Sequence, residues 1–310
     1  MSNKYTVAVV QAAPVLFDVE NSLKKAAKLV DEAAQKGSKL ILFPEAFISA
    51  YPRGLSFGTV VGSRSEEGRD TWLHYWNSSI EEHGPESEKL GAMAKSASAF
   101  LVMGVIEKDE TSATLYCSMF YYGPDGKYLG KHRKLKPTAA ERLIWGEGDG
   151  STLSSFDTVL GKIGGLICWE NYMPQARMSM YNKGVQVYLA PTADSRDQWQ
   201  HTMIHTSLEG RCYVLGCNQF VTKDMYPNDL PGIEDLEKQP DIMCRGGSVI
   251  VSPLGEVLAG PLWNEEGILT AEISIDEVVK SKLDFDVIGH YSRNDIFTMS
   301  VKDQIEIKKI

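Results

Sequence analysis

The first 45 residues alternate between strand-like and helix-like hydrophobic patterns. Residues 6–10 form a short, mainly β-branched run, which predicts a strand. Residues 19–35 place apolar side chains at helical spacing before Gly37, which predicts a helix. Residues 40–43 are wholly apolar and lead to Glu45, so a buried strand should carry a carboxylate at its end. This β-α-β unit predicts a functional group at that strand end, because active sites collect at such ends.

Strand and helix patterns continue to alternate along the rest of the chain, and the second half resembles the first. Further helices are predicted at 87–99, 174–183 and 196–211, and further strands at 100–106, 119–122, 127–129, 165–167, 185–190, 213–221, 248–252, 256–258 and 268–275. Residues 222–243, rich in Asp, Pro and Glu, are predicted to form a long surface loop at the border of a site or an interface. No linker interrupts the pattern, so we predict an α/β protein with a single domain spanning residues 1–310.

Composition restricts the classes of partner. The net charge of -9 and the pI near 5.3 argue against nucleic acid and anionic membranes, which attract clustered Lys and Arg. No apolar run approaches the ~20 residues that span a bilayer. Gln11, Pro14 and Asp18 interrupt the first apolar run too early for a signal peptide. The five cysteines lack CxxC spacing, which predicts reduced thiols in a cytoplasmic protein, and we expect a small-molecule partner.

Cys168 stands between a predicted buried strand and a predicted helix, so its thiol should be reachable at a strand-to-helix turn. Most buried cysteines are only small apolar residues. A nucleophilic thiol also needs a base or a cation nearby, because a free thiol titrates near ~8.5. Glu45 and Lys134, each at the end of a predicted element, could supply both. Taken alone, a Glu at a strand end or a Lys in a basic run is more often just a solvated charge.

Three separated segments together resemble the signature motifs of the nitrilases, and they occur in the same order. These segments are Phe43-Pro44-Glu45, His132-Arg133-Lys134-Leu135-Lys136-Pro137-Thr138 and Cys168-Trp169-Glu170-Asn171-Tyr172-Met173-Pro174. Residues 51–54, 141–150, 217–219, 246–248 and 289–293 also resemble the aliphatic and aromatic nitrilase branch. The six residues after the cysteine are the most specific feature, because amidases and carbamoylases of the wider family usually lack them.

Two features depart from the pattern of that branch. Ala50 replaces the Gly that commonly precedes Tyr51, which bears on the fit of the pocket. The chain also ends soon after His290 and Tyr291, and we expect this short end to limit the size of the assembly.

The resemblance implies a mechanism that agrees with the chemistry of the residues. Glu45 is expected to take the proton of the thiol, Cys168 to attack a nitrile carbon, and Lys134 to stabilise the nitrogen as charge develops. A thioimidate forms, and water then releases ammonia and finally the carboxylic acid. Nitrile and water are the expected small-molecule partners, and no metal or organic cofactor is implied.

Four further side chains are assigned by the same motifs. Glu141 matches the family's second glutamate and should bond to Lys134, although a surface charge at a helix start is the alternative interpretation. Tyr51, Trp169 and Tyr172 are expected to bind substrate, although for Trp169 and Tyr172 a plain packing role is nearly as well supported.

Other residues of suggestive type are predicted to have no chemical role. His201 and His205 have the spacing of a helical metal pair, but they lack the accompanying Glu and a third ligand, so we expect no metal. Packing roles are expected for the remaining cysteines, Cys117, Cys212, Cys217 and Cys244.

The fold implied by the resemblance is a four-layer αββα sandwich, and the assembly implied is a homodimer or a larger homo-oligomer. Two alternatives to a nitrilase stay open. One is an amidase or carbamoylase on the same scaffold, and the other is a non-catalytic assembly protein. The sequence does not identify the nitrile, because the loops shape the pocket.

Overall fold

The computed structural model describes residues 4–302. Its strands are β1 (Lys4–Gln11), β2 (Ser38–Leu42), β3 (Thr59–Val60), β4 (Ser63–Arg64), β5 (Ile80–Glu81), β6 (Phe100–Lys108), β7 (Leu115–Tyr122), β8 (Tyr128–Arg133), β9 (Ser155–Thr158), β10 (Gly161–Gly165), β11 (Val187–Pro191), β12 (Tyr213–Cys217), β13 (Phe220–Thr222), β14 (Ile242–Val251), β15 (Val257–Trp263) and β16 (Gly267–Ser274). Its α-helices are α1 (Val19–Gln35), α2 (Glu66–Asn77), α3 (Pro85–Ala97), α4 (Pro174–Asn182), α5 (Asp197–Gly210) and α6 (Ile275–Ser281).

Two seven-stranded sheets repeat one arrangement. The first has the order β16-β1-β2-β6-β7-β8, with β5 beside β6, and the second has the order β13-β14-β12-β11-β10-β9, with β15 beside β14. Strands β1, β2 and β6 run parallel at the centre of the first sheet, as do β10, β11 and β12 in the second. Antiparallel strands flank both centres. The similarity of the two halves that the sequence predicts is therefore present in the sheets.

Alternate residues of the central strands enter two different cores. In β1, Val7 and Val9 belong to a core that also contains Val187 and Leu189 of the second sheet. Their neighbours Ala8 and Val10 instead pack with residues of α1 and α3. A third core joins the outer face of the second sheet to α4 and α5. Since successive side chains of a strand point to opposite faces, this confirms the layer order helix, sheet, sheet, helix.

Some sequence predictions need correction. The strand predicted at 213–221 is divided into β12 and β13 at Asn218, whose main-chain N–H donates to Ser248 Oγ at 2.9 Å. Helix α2 was not predicted, because its buried positions are Gly68, Thr71 and Tyr75 and not an apolar stripe. The final strand ends at Ser274, and the next residue begins α6.

The segment 222–243, which is predicted to be a surface loop, is partly buried and partly helical. It contains two short 3-10 helices, Lys223–Met225 and Ile233–Leu236, and three of its apolar side chains, Tyr226, Leu230 and Leu236, are buried. In the part of the chain that the structure describes, no helix is both long and apolar enough to cross a membrane.

Candidate active site

Glu45 lies in the turn that follows β2. The turn crosses β6 very closely, because a Cβ added to Gly104 would lie 1.9 Å from the carbonyl oxygen of Pro44, so a glycine is required there. The main chain of Glu45 is fixed from the second sheet, since Gln219 Nε2 donates to its carbonyl oxygen at 2.6 Å. The side chain is fully buried, so the carboxyl group is removed from solvent.

Lys134 follows directly after β8, and its ammonium group is held between two carboxylates. Nζ donates to Glu45 Oε1 and to Glu141 Oε2, both at 2.7 Å. The side chain is fully buried. Burial opposes the charge and is the largest single effect, but the attraction of the surrounding acidic groups, Glu45 first among them, together outweighs it and holds the pKa of Lys134 well above its ordinary value. The ammonium is thus charged and is held between the carboxylates of Glu45 and Glu141.

Cys168 begins the short 3-10 helix Cys168–Tyr172 after β10. Its φ of 51° lies in the left-handed region, which non-glycine residues adopt rarely and often at functional sites. Asn171 Nδ2 donates to the carbonyl oxygen of Cys168 at 2.8 Å and secures this turn. The hydroxyl of Thr192 donates to Sγ at 3.0 Å. The sharp turn places the thiol beyond the strand end, where the sequence predicts it.

Burial and the negative charge of Glu45 favour the protonated form of the Cys168 thiol. Burial raises the pKa of the Cys168 thiol, the negative charge of Glu45 adds to the effect, and Lys134 opposes it. Burial also raises the pKa of Glu45, which makes its carboxylate a better proton acceptor. Glu45 Oε2 is buried and has no hydrogen-bond partner in the described structure. One carboxylate oxygen therefore binds Lys134 while the other is available to accept a proton.

Glu141 joins Lys134 to the wall of a cavity. The main-chain N–H of Thr138 donates to Glu141 Oε2 at 2.6 Å, and the Tyr51 hydroxyl donates to Oε1 at 2.5 Å. The ring of Trp145 supports this group, with its centre 5.5 Å from Lys134 Nζ. Glu141 is thus a bridging carboxylate, and its assigned contact with Lys134 is present.

A cavity of about 220 Å³ opens onto Cys168. Its lining includes Tyr51, Glu141, Cys168, Trp169, Asp194 and Arg196. A second cavity of about 410 Å³ shares Tyr51 and Glu141 with it and continues along Phe57 and Ile144. The thiol is therefore reached through a path with aromatic walls and a few charged groups, which suits a small organic molecule.

The carbon-nitrogen hydrolase family model matches residues 6–282 of the chain. The chain belongs to the carbon-nitrogen hydrolase family. It is 50% identical over 300 residues to the bifunctional nitrilase/nitrile hydratase NIT4B of Nicotiana tabacum, covering 95% of this chain and 85% of the relative. It is 50% identical over 302 residues to the nitrilase blr3397 of Bradyrhizobium diazoefficiens, covering 97% and 93%. The resemblance found in the sequence is thereby confirmed.

The fold of this carbon-nitrogen hydrolase also matches solved structures. A member of branch 10 of the nitrilase superfamily from Saccharomyces cerevisiae superposes with a TM-score of 0.74 at 22% sequence identity, covering 93% of this chain and 96% of that one. At this identity the likeness concerns the fold alone.

Of the three aromatic side chains predicted to bind substrate in this carbon-nitrogen hydrolase, two lie on the cavity wall. Tyr51 and Trp169 line the cavity beside Cys168, and Trp169 Nε1 donates to Asp194 Oδ2 at 2.8 Å. Tyr172 is not among the lining residues; it is 42% exposed, and its ring packs edge-on against Trp169 and Trp199. Tyr172 therefore packs against Trp169, which lines the cavity, and does not line the cavity itself.

Three groups of the site were not singled out from the sequence. Arg53 and Asp194 line the cavity, and Thr192 contacts the thiol. Thr192 and Asp194 follow β11, the parallel neighbour of β10, so the rule that polar groups collect at parallel strand ends could have found them. Arg53 lies next to a residue that was assigned, within the matched segment 51–54.

The wall of the cavity rests on the segment 222–243. Tyr226 donates its hydroxyl to the carbonyl oxygen of Arg53 at 2.9 Å, and the main-chain N–H of Ser56 donates to Asp235 Oδ2 at 2.7 Å. The predicted position of this segment at the border of a site agrees with these contacts.

The two histidines with metal-like spacing lie apart from the site. His201 and His205 are exposed on α5, and His205 Nε2 lies 3.6 Å from a carboxylate oxygen of Glu209. Within residues 4–302, no group of three or more His, Cys, Asp or Glu side chains is placed to hold a metal ion.

Proposed function

We propose that the protein is a nitrilase, which converts an organic nitrile and two water molecules into a carboxylic acid and ammonia. The observation that supports this best is the arrangement of two carboxylates, Glu45 and Glu141, around the ammonium of Lys134, together with a thiol at Cys168 that opens onto a cavity. The nitrilases at 50% identity support the same reaction.

In the first step, Glu45 Oε2 takes the proton of the Cys168 thiol as sulfur bonds to the nitrile carbon. The carbon–nitrogen triple bond becomes a double bond, and the nitrogen receives the proton, which gives a thioimidate. Lys134 stabilises the negative charge that develops on nitrogen in the transition state. The pKa values of the Cys168 thiol and of the Glu45 carboxyl are both raised. This favours a mechanism in which the proton moves to Glu45 while sulfur attacks, and not one in which a thiolate is formed beforehand.

In the second step, water adds to the thioimidate carbon with Glu45 as general base. The tetrahedral intermediate expels ammonia and leaves a thioester on Cys168. A second water then cleaves the thioester, which releases the acid and restores the thiol. Glu141, bound to both Lys134 and Tyr51, is suited to orienting the water or the substrate. No cofactor enters this scheme.

Release of an amide is a second product route that one observation favours. The tetrahedral intermediate can expel the sulfur of Cys168 in place of nitrogen, which yields the amide in one hydration. The relative from Nicotiana tabacum is named a bifunctional nitrilase/nitrile hydratase. We therefore expect the acid as the main product and a minor share of amide.

The decisive experiment measures ammonia, acid and amide from aliphatic nitriles, aromatic nitriles, arylacetonitriles, dinitriles and cyanide, each organic nitrile beside its cognate amide. A nitrilase releases ammonia from a nitrile faster than from the amide. Ammonia from amides alone would assign an amidase or carbamoylase, and ammonia from none of these compounds would leave an assembly protein.

Three further properties are proposed together with the activity. A core shared by both sheets supports a single domain over residues 1–310. All five cysteines are free and buried, which agrees with a cytoplasmic location. Family resemblance supports a homodimer or larger homo-oligomer, and light scattering on the purified protein measures this directly.

A further inference from the structure

One buried carboxylate contacts the residues next to two of the reacting groups. Glu170 is 1% exposed. The main-chain N–H of Ile167, which directly precedes Cys168, donates to Glu170 Oε2 at 2.7 Å. The main-chain N–H of Leu135, which directly follows Lys134, donates to Oε1 at 2.7 Å.

These two contacts join different sheets. Ile167 follows β10 of the second sheet, and Leu135 follows β8 of the first. The nucleophile and the ammonium therefore come from separate layers of the sandwich. A hydrogen bond to a carboxylate is shorter and stronger than one between neutral groups, so a shared carboxylate is an effective link between them.

His132 completes the environment of this carboxylate. Its Nε2 lies 3.0 Å from Glu170 Oε2, and its Nδ1 lies 2.9 Å from the carbonyl oxygen of Thr152. Carboxylate and carbonyl oxygens only accept hydrogen bonds, so both ring nitrogens donate and the imidazole carries a positive charge. Burial opposes that charge, but the carboxylate of Glu170 raises the pKa of His132 above 6.5.

We propose that Glu170, supported by His132, is a positioning residue that fixes the separation of Cys168 and Lys134. Glu170 does not line the cavity beside Cys168, so its effect passes through the main chain on either side of it. This role rests on the nitrilase function proposed above. Errors of about 1 Å in such a separation can lower turnover about 100-fold, which makes the link functionally important.

A second buried carboxylate provides a matched control. Glu107 is also 1% exposed and is bound by basic residues, with Arg133 Nε at 3.0 Å and Lys131 Nζ at 2.5 Å. Ser118 donates to it at 2.7 Å. All these partners lie on β7 and β8, so Glu107 joins strands within the first sheet and links nothing to the Cys168 turn.

The test compares Glu170→Gln with Glu107→Gln. In Glu170→Gln an amide NH₂ replaces one oxygen and faces an N–H donor, so one of the two links is lost. We expect kcat for nitrile hydrolysis to fall about 100-fold with little change in KM. The rate at which iodoacetamide alkylates Cys168, followed by peptide mass spectrometry, should also fall. Glu107→Gln should lower the melting temperature but leave kcat and the alkylation rate near wild type.

Two results would overturn the proposal: unchanged kcat and alkylation in Glu170→Gln, or an equal loss of both in Glu107→Gln. If Glu170→Gln does not fold, His132→Gln decides, because it removes the cation and leaves the carboxylate. A fall of about tenfold in kcat at constant KM supports the link, and an unchanged kcat refutes it. If the wild type hydrolyses no nitrile, the alkylation rates still decide the role of Glu170, separately from the proposed function.

Discussion

Two thiols lie beside the Glu45–Lys134 pair, but only one of them opens onto the cavity. Cys117 Sγ donates to Glu45 Oε1 at 3.5 Å, and the carbonyl oxygen of Cys117 accepts from the main-chain N–H of Lys134 at 2.8 Å. Cys117 lies within β7 and is 1% exposed. Cys168 stands at a strand end, with positive φ, on the wall of a cavity.

The difference shows that access distinguishes the two thiols and acidity does not. Burial raises the pKa of Cys117 and of Cys168, and the negative charge of Glu45 raises both further. In both cases the environment favours the protonated thiol. A substrate can reach only the thiol that the turn after β10 exposes to the cavity, and Cys117 is left as a hydrogen-bond donor to the base.

The largest expected effect is that of Cys168→Ala, which should abolish turnover. A small side chain fits the turn, so the fold should survive with a melting temperature close to that of the wild type. Acid quenching of the wild type with a slow nitrile should give a thioimidate or acyl adduct on the peptide containing Cys168. An adduct on Cys117, or nitrile hydrolysis by the Cys168→Ala variant, would show that Cys168 is not the nucleophile.

Lys134→Arg should lower kcat roughly 100-fold although the positive charge is kept. A planar guanidinium cannot replace a compact ammonium held at 2.7 Å by two carboxylates in a closed space. Lys136→Arg is the control, because the side chain of Lys136 is 50% exposed and should tolerate the change. Steady-state kinetics on both variants measures the effect. Turnover of Lys134→Arg near the level of Lys136→Arg would remove the assigned role.

Activity should fall on acidification at a pH above the ordinary carboxyl range. Glu45 must be ionised to take the thiol proton, and its pKa is raised above 4.5 by burial. On the acid side of the profile, kcat/KM should therefore fall as the pH drops through the raised pKa of Glu45. Below that pKa the fall should be about tenfold per pH unit. A profile that stays flat down to pH 4.5 would contradict the assignment of Glu45 as the base.

Much of this site follows from the sequence, because its groups stand at the ends of apolar runs. The run at 40–43 and the run at 165–167 indicate where Glu45 and Cys168 emerge, and the motifs supply Lys134 and Glu141. Such runs are a strong signal for buried strands. The α/β class and most of the order of the strands and helices can be predicted from them.

What the sequence did not reveal depends on which strands become neighbours. Thr192 reaches the thiol because β11 pairs with β10, and Glu170 acts between two sheets. From the sequence, Cys117 is predicted to have a packing role, because most buried cysteines are only small apolar residues. Its contact with Glu45 arises because β6 pairs with both β2 and β7, which no local pattern encodes.

The smallest predicted effect concerns the hydrogen bond from Cys117 to Glu45. The hydrogen bond from the Cys117 thiol stabilises the ionised carboxyl and so lowers the pKa of Glu45, against the larger effect of burial. Cys117→Ala removes that donor, so the pKa of Glu45 should rise and the acid limb of kcat/KM should move to higher pH. Cys117→Ser keeps a donor at the same place and should stay close to the wild type.

The pH at which kcat/KM is half-maximal is the quantity to compare across the wild type and both Cys117 variants. Activity at the optimum should be largely retained in each, because Cys117 forms no bond to substrate. A cavity left by Cys117→Ala would lower stability without moving a pH midpoint, so the shift separates hydrogen bonding to Glu45 from packing. Equal pH midpoints in Cys117→Ala and Cys117→Ser would mean that Cys117 only fills space. A complete loss of turnover in Cys117→Ser would mean that Cys117 does more than donate a hydrogen bond to Glu45.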